Sequence, residues 1–217
     1  MSDSGIRIGL VDTPVDGQLI KAPTSNWAYD HNASLIAHQG DPNLFWRTGE
    51  YFRPPPYFDN GTLLLVADRI FAHPFILPRG MTFDRMAISV TIEDAGKSAV
   101  LGLYNEGANL YPGTLLVKAG EVSVNGVAIV AATFSQALSK GVVYWLALSS
   151  EGGPTVRNSF AQVPLMGIQT AVFQGRNQVW RATHVYDSDL PDPFPGGGSL
   201  VASSSAPGVA MRLLSLD

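Results

Sequence analysis

The sequence contains no cysteine, so we expect neither disulfide bonds nor thiolate metal sites. Charged residues are also scarce: they make up 15% of the 217 residues, whereas hydrophobic residues make up 46%. A surface with so few charges often depends on contacts with a partner or with another copy. The net charge of -4 gives no electrostatic reason to expect binding to nucleic acid.

Long apolar runs are absent as well. No stretch approaches the roughly 20 residues that a membrane-spanning helix needs. The first residues (MSDSG) are not a basic region followed by an apolar run, so no signal peptide is predicted. We therefore expect no membrane insertion and synthesis in a cytoplasm.

The clearest structural pattern lies in residues 83–149. Within residues 86–92 (MAISVTI), apolar side chains occupy every second position, which is the period of a strand with one buried face. Residues 142–148 (VVYWLAL) are almost continuously apolar, which predicts a strand deep in a sheet. Within this run, the adjacent residues Tyr144 and Trp145 are expected to point to opposite faces of the sheet. Turn residues at 105–107, 111–113, 125–126 and 139–141 separate the runs, and this pattern predicts an all-β antiparallel β-sandwich.

Composition along the chain predicts three parts. Residues 1–50 carry large apolar side chains but too few for an independent core, which predicts an N-terminal attachment segment. Residues 51–58 include three consecutive prolines, which favour an extended spacer and predict a Pro-rich linker. The sandwich domain then spans residues 59–217, with residues 209–214 (VAMRLL) as its expected last strand. The predicted docking side chains of the first segment are Trp27, Tyr29, Leu35, Ile36, Phe45 and Trp46.

Motifs for metal binding and catalysis are weak. Asp30, His31, His38 and Asp41 are residue types that bind metals, but their spacing matches no metal motif, so we predict no metal site and no cofactor. A G-x-S-x-G nucleophile motif is absent. Glycan hydrolysis needs two carboxylates around a sugar bond, and most acidic residues here lie in predicted turns. We therefore predict no catalytic residue and keep a glycan-cleaving enzyme as the least favoured alternative.

Aromatic residues near predicted loops are the remaining functional candidates. Sugar rings stack on Trp and Tyr faces, and protein partners favour the same residues. Tyr111 lies beside a turn, while Trp180 and Tyr186 flank the strand before residues 187–205, which are rich in Pro, Gly, Ser and Asp. A loop of that length indicates either function or wrapping over the surface. We predict Tyr111, Trp180 and Tyr186 as glycan or partner contacts, with packing in the core as the alternative.

The middle and end of the chain combine residues 86–92 (MAISVTI), 101–116 (LGLYNEGANLYPGTLL), 144–148 (YWLAL) and 190–195 (LPDPFP) in that order. This succession resembles jelly-roll domains in virion proteins of tailed bacteriophages, which are labelled tail fibre, head fibre or minor structural proteins. The resemblance covers roughly residues 65–217. Residues 27–43 (WAYDHNASLIAHQGDPN) are similar to the short N-terminal anchors of such proteins.

The resemblance implies that the sandwich is a jelly roll and that the protein is a non-enzymatic structural part of the virion. It implies a homotrimer that contacts other virion proteins, such as capsid, portal, neck or tail proteins. It also implies that the exposed end can touch a host surface glycan. A carbohydrate-binding receptor-recognition module stays open as the alternative, and the sequence does not decide between a head and a tail location.

Overall fold

The structure is a computed structural model that describes residues 46–53, 57–58, 61–161, 166, 168–169, 174–202 and 206–216. Within these ranges the regular structure consists of strands, without helices. All strand pairs are antiparallel and form two sheets around a shared hydrophobic core. The predicted all-β antiparallel sandwich is therefore confirmed, whereas its finer assignment as a jelly roll stays a prediction.

The strands follow one another along the described chain. They are β1 (Tyr51–Phe52), β2 (Tyr57–Phe58), β3 (Thr62–Leu64), β4 (Arg69–Ile76), β5 (Met81–Ile92), β6 (Ser98–Glu106), β7 (Pro112–Ser123), β8 (Ile129–Leu138), β9 (Val143–Ser150), β10 (Thr155–Ala161), β11 (Ile168–Gln169), β12 (Gln174–Thr183), β13 (Ser199–Ala202), β14 (Ala206–Pro207) and β15 (Ala210–Leu216).

The first sheet is organised around β5. Strand β8 pairs with one edge of β5, and β15 and then β10 pair with the other. Strand β1 extends the sheet beyond β15, and the short strands β2, β3 and β14 pair with β10. The predicted last strand is confirmed, because β15 lies directly beside β5.

The second sheet has the order β11–β12–β4–β9–β6–β7, with β13 also paired to β12. Along the chain from β4 to β10, the connection from β6 to β7 stays within the second sheet. Every other connection in this range crosses from one sheet to the other. The core is therefore assembled from residues that are far apart in the sequence.

Alternation along β5 explains how the first sheet faces the core. Met86, Ile88 and Val90 are buried between the sheets, as their spacing predicts. Ile92, the last residue of β5, is exposed because the strand ends there. The apolar period therefore predicts the inward face but not the point at which the strand leaves the core.

The second sheet is buried on both faces. On β9, Tyr144, Leu146 and Leu148 enter the main core, while Trp145 and Ala147 lie in a second hydrophobic cluster on the outer face. The predicted opposite orientation of Tyr144 and Trp145 is thereby confirmed. Because both faces are apolar, the outer face of this sheet also needs a cover.

Trp46 corrects the predicted docking surface. Its ring is only 8% exposed and stacks on Phe52, with ring centroids 4.9 Å apart, while the edge of Phe83 lies 6.1 Å away. Burial of so large an aromatic surface stabilises the sandwich, so this ring is not available to a partner. The other predicted docking residues, Trp27, Tyr29, Leu35, Ile36 and Phe45, lie outside the described residues.

The predicted linker is also partly sandwich. Tyr51 and Phe52 pair with Arg212 and Met211 of β15, and β2 pairs with β10. Residues on either side of the prolines thus use their backbone groups in the first sheet. The prolines at 54–56 lie outside the described residues.

His73 is a buried titratable group on β4, only 2% exposed, on the strand face that also carries Phe71 and Phe75. Burial, reinforced by the positive charge of Arg53, lowers the pKa of His73 to about 3 from 6.5. The folded protein therefore keeps this imidazole neutral at pH values where the unfolded chain protonates it.

We expect the free energy of unfolding to fall as the pH drops from 6.5 towards about 5, by up to about 1.4 kcal/mol per pH unit. In this window the unfolded chain gains a proton at His73 and the folded chain does not. Folding also lowers the pKa of carboxyl groups such as that of Asp84. These groups likewise reduce the free energy of unfolding as the pH falls, but only near the ordinary pKa of 3.8. Urea unfolding of the wild type and His73→Gln at several pH values measures the effect, and an equally steep decline in the variant would contradict it.

Candidate functional site

Residues 187–198 (DSDLPDPFPGGG), here called the cover segment, pack on the outer face of the second sheet. Leu190 and Phe194 of this segment are buried in the second hydrophobic cluster, here called the outer cluster. Its buried members are Ile70, Ala72, Val100, Tyr104, Trp145, Ala147, Ala182, Leu190 and Phe194. The sequence predicts that residues 187–205 either have a function or wrap over the surface. Residues 187–198 of this stretch wrap over the surface and cover the second sheet.

Polar contacts fix the cover segment on β6 and β7. The Tyr104 hydroxyl donates a hydrogen bond of 2.7 Å to the Pro191 carbonyl, and the Phe194 amide donates one of 3.0 Å to the Gly113 carbonyl. The Tyr104 and Phe194 rings meet edge to face at 5.4 Å. Burial, together with the negative charges of Asp192 and Asp189, raises the pKa of Tyr104 well above its usual range. The hydroxyl therefore stays protonated and remains a donor.

Gly102 on β6 shows how closely the cover segment approaches the sheet. A Cβ atom at this position would lie 2.4 Å from Cδ1 of Leu190 and 2.7 Å from the carbonyl oxygen of Val117. Real Cβ atoms do not approach other atoms so closely, so the packing of Leu190 on β6 requires a glycine here.

The structure brings two of the predicted contact residues together. The rings of Tyr111 and Trp180 lie 4.7 Å apart at an angle of 63°. The Tyr111 hydroxyl donates to the Pro195 carbonyl and accepts a hydrogen bond of 3.0 Å from the Gly198 amide. Tyr111 thus ties the end of the cover segment to the start of β7.

Trp180 is bound to the same region. Its Nε1 donates a hydrogen bond of 2.7 Å to the carbonyl of Leu110, in the turn that precedes Tyr111. Both aromatic side chains are half-buried, and the chain itself supplies partners for their polar groups. Both rings pack against the outer cluster, so their main contribution is to packing.

Tyr186 is held at a different point, on β7. Its hydroxyl donates a hydrogen bond of 2.6 Å to Oε1 of Glu121, and the Ser188 hydroxyl bonds the same oxygen at 3.2 Å. The hydrogen bond from Tyr186 is the main cause that lowers the pKa of Glu121. Burial and the Glu121 carboxylate raise the pKa of Tyr186.

An ion pair lies beside this contact. Lys118 Nζ lies 3.2 Å from Oδ1 of Asp189, and the same carboxylate oxygen accepts the Leu190 amide at 2.8 Å. The backbone hydrogen bond and the Lys118 contact together lower the pKa of Asp189. Both charged side chains are exposed, so the pair contributes little to stability and serves mainly to position the start of the cover segment.

The sequence prediction missed the roles of Leu190, Phe194 and Tyr104. Their signal was present in part, because a strand such as β9 that is apolar on both faces indicates that both faces are covered. The element that provides the cover could not be recognised, since a Pro- and Gly-rich stretch has no apolar period.

Metal ligands and membrane spans can be assessed over the described ranges only. In them no group of three or more His, Asp or Glu side chains is arranged to hold a metal ion. Residues 30–41, considered above as metal ligands, lie outside those ranges. In the same part of the chain no helix is long and apolar enough to cross a membrane.

Comparisons with known proteins give no relative: the chain matches no protein-family model, no curated protein and no solved structure.

We expect Gly102→Ala to lower the free energy of unfolding by about 1–3 kcal/mol, because the new methyl group meets Leu190 and the backbone of β7. Gly126→Ala is the matched control, since a Cβ atom there meets nothing within 4 Å. Urea unfolding followed by tryptophan fluorescence measures both variants. Equal urea midpoints for Gly102→Ala and Gly126→Ala would contradict the close packing of the cover segment on β6.

Proposed function

We propose that this protein is a non-enzymatic structural component of a tailed phage particle, a fibre or appendage protein. Its N-terminal segment docks onto other virion proteins, of the capsid, portal, neck or tail, and the sandwich projects from the particle. The sandwich is a jelly roll in this proposal, as the sequence resemblance implies, and the assembled form is a homotrimer. A stable monomer at micromolar concentration would remove the homotrimer from the proposal.

The way the chain enters the sandwich supports docking through the N-terminus. Trp46 is buried in the core, and the amide of Gly49 donates a hydrogen bond of 2.8 Å to the carbonyl of Leu213. The amide of Leu213 in turn donates one of 3.1 Å to the carbonyl of Glu50. The start of the domain is therefore fixed to β15 by backbone bonds and to the core by an aromatic ring.

A domain that projects from a particle on an N-terminal tether bears load at this entry point. Backbone hydrogen bonds between β1 and β15, together with the stack of Trp46 on Phe52, spread such a load into the first sheet. A loosely attached first strand would instead peel away. The firm entry and the low charge of the sequence both favour a role in assembly.

We expect the full chain to be present in purified particles of the phage that encodes it, whereas a fragment starting at Trp46 is absent from them. The fragment retains every strand described here, so its urea unfolding should stay cooperative. A fragment starting at Tyr57 is the control for folding, because it lacks Trp46 and β1 and should unfold at lower urea. Mass spectrometry of the particles decides the test: absence of the full chain, or equal incorporation of the Trp46 fragment, contradicts the proposal.

A carbohydrate-binding receptor-recognition module is the second candidate. The contact between Tyr111 and Trp180 favours this candidate, because sugar rings stack on the faces of Trp and Tyr side chains. We expect binding of a host surface glycan to quench tryptophan fluorescence, and Trp180→Phe to reduce that quenching while a ring remains in the cluster. A glycan array on which the full chain binds nothing contradicts this candidate and leaves the structural role intact.

A further inference from the structure

Strand β8 forms one end of the first sheet, and in the described part of the chain it pairs with β5 alone. The amide of Val90 on β5 donates a hydrogen bond of 2.8 Å to the carbonyl of Ala128. Hydrogen-bonded and non-hydrogen-bonded pairs alternate along an antiparallel ladder. Ile129, Ala131 and Thr133 therefore direct their backbone N–H and C=O groups away from β5, towards the edge of β8 with which no described strand pairs. Strand β7 lies close to β8, since a Cβ atom on Gly120 would be 3.3 Å from Cβ of Ala132, but it does not pair with β8.

The composition of this edge leaves it open to pairing. From Val122 to Ser139 the sequence has no Asp, Glu, Lys or Arg, and β8 itself has neither Pro nor Gly. Ile129 is 74% exposed. An edge strand without charges or prolines is a ready template for another strand.

Strand β7 provides the internal comparison. Among the described residues it ends the second sheet and pairs with β6 alone, but its edge is protected. Lys118 and Glu121 are exposed on it, Gly120 has a φ of 139°, and the register with β6 shifts at three places. Charges and bulges of this kind prevent edge-to-edge association. The pairing of β8 with β5 shifts once, after Phe83, and its stretch from Ile129 to Thr133 is regular.

We propose that β8 pairs antiparallel with β8 of a second copy of this chain, across a twofold axis, so that two first sheets join into one. Across a twofold axis, residue i of one β8 faces residue j of the other and j faces i, so each charge on the strand occurs twice within one contact, directly opposite itself only at the axis. The uncharged stretch around β8 avoids repulsion between such like charges. A strongly charged partner strand, in contrast, would find no complementary charge on this edge.

This contact is separate from the proposed homotrimer. A twofold contact joins copies in pairs, so by itself it yields a dimer, and in combination with a threefold contact it yields an assembly of six. Loss of the β8 contact should therefore halve the mass of the protein assembly in solution. Loss of the threefold contact would divide it by three.

The test uses the full chain and two substitutions of matched exposure. Ile129→Lys places a positive charge on β8 of both copies, where the uncharged facing strand offers it no partner, whereas Val185→Lys adds the same charge at a residue that is 72% exposed on a loop. We expect sedimentation velocity to show an even number of copies for the wild type and for Val185→Lys. Ile129→Lys should show half that number.

Ala131→Pro is the second variant, because it removes an outward N–H group without adding charge. Proline is tolerated on an edge strand when its nitrogen faces solvent, so far-UV circular dichroism should stay unchanged while the mass is halved. A wild-type monomer or trimer overturns the proposal, and a trimer would leave the homotrimer standing. The proposal is also overturned if the wild type has an even number of copies and folded Ile129→Lys or Ala131→Pro has the same number.

Discussion

The apolar character of both faces of the second sheet is the constraint on which the rest of the structure depends. An antiparallel sheet commonly leaves one face to water, but here Leu146 and Trp145, neighbours on β9, are both buried on opposite sides. The first sheet covers one side and the cover segment covers the other. The glycine at 102, the buried ring of Phe194 and the protonated hydroxyl of Tyr104 all follow from this second cover.

Period and composition are sufficient to predict the central strands of the two sheets. The alternation in residues 86–92 identifies the inward face of β5, and the continuous apolar run of residues 142–148 predicts a strand deep in a sheet. The cover segment could not be derived in this way, because its contacts are distant: the hydroxyl of Tyr104 reaches the carbonyl of Pro191, 87 positions further along the chain. A Pro-rich stretch acquires its conformation from such partners and carries no period of its own.

The start of the domain and the aromatic site illustrate the same limit. Trp46 is the kind of residue that docks onto partners, and only its stack on Phe52 and contact with Phe83 reveal that it belongs to the core. Residue type and position near predicted loops indicate Tyr111 and Trp180 as contact residues, and the fold does bring them together. Whether such a ring binds a ligand or packs depends on its burial and on the partners of its polar groups, which are properties of the folded chain.

The two sheets differ in what they leave for association. The second sheet is covered on both faces and ends in β7, whose charges and register shifts protect its edge. The first sheet ends in β8, where Val130 and Phe134 pack against the main core while the alternate residues are exposed. A strand anchored in this way loses little conformational freedom when another strand pairs with it. The same alternation that builds the core thus leaves β8 uncharged and, among the described strands, paired along one edge only.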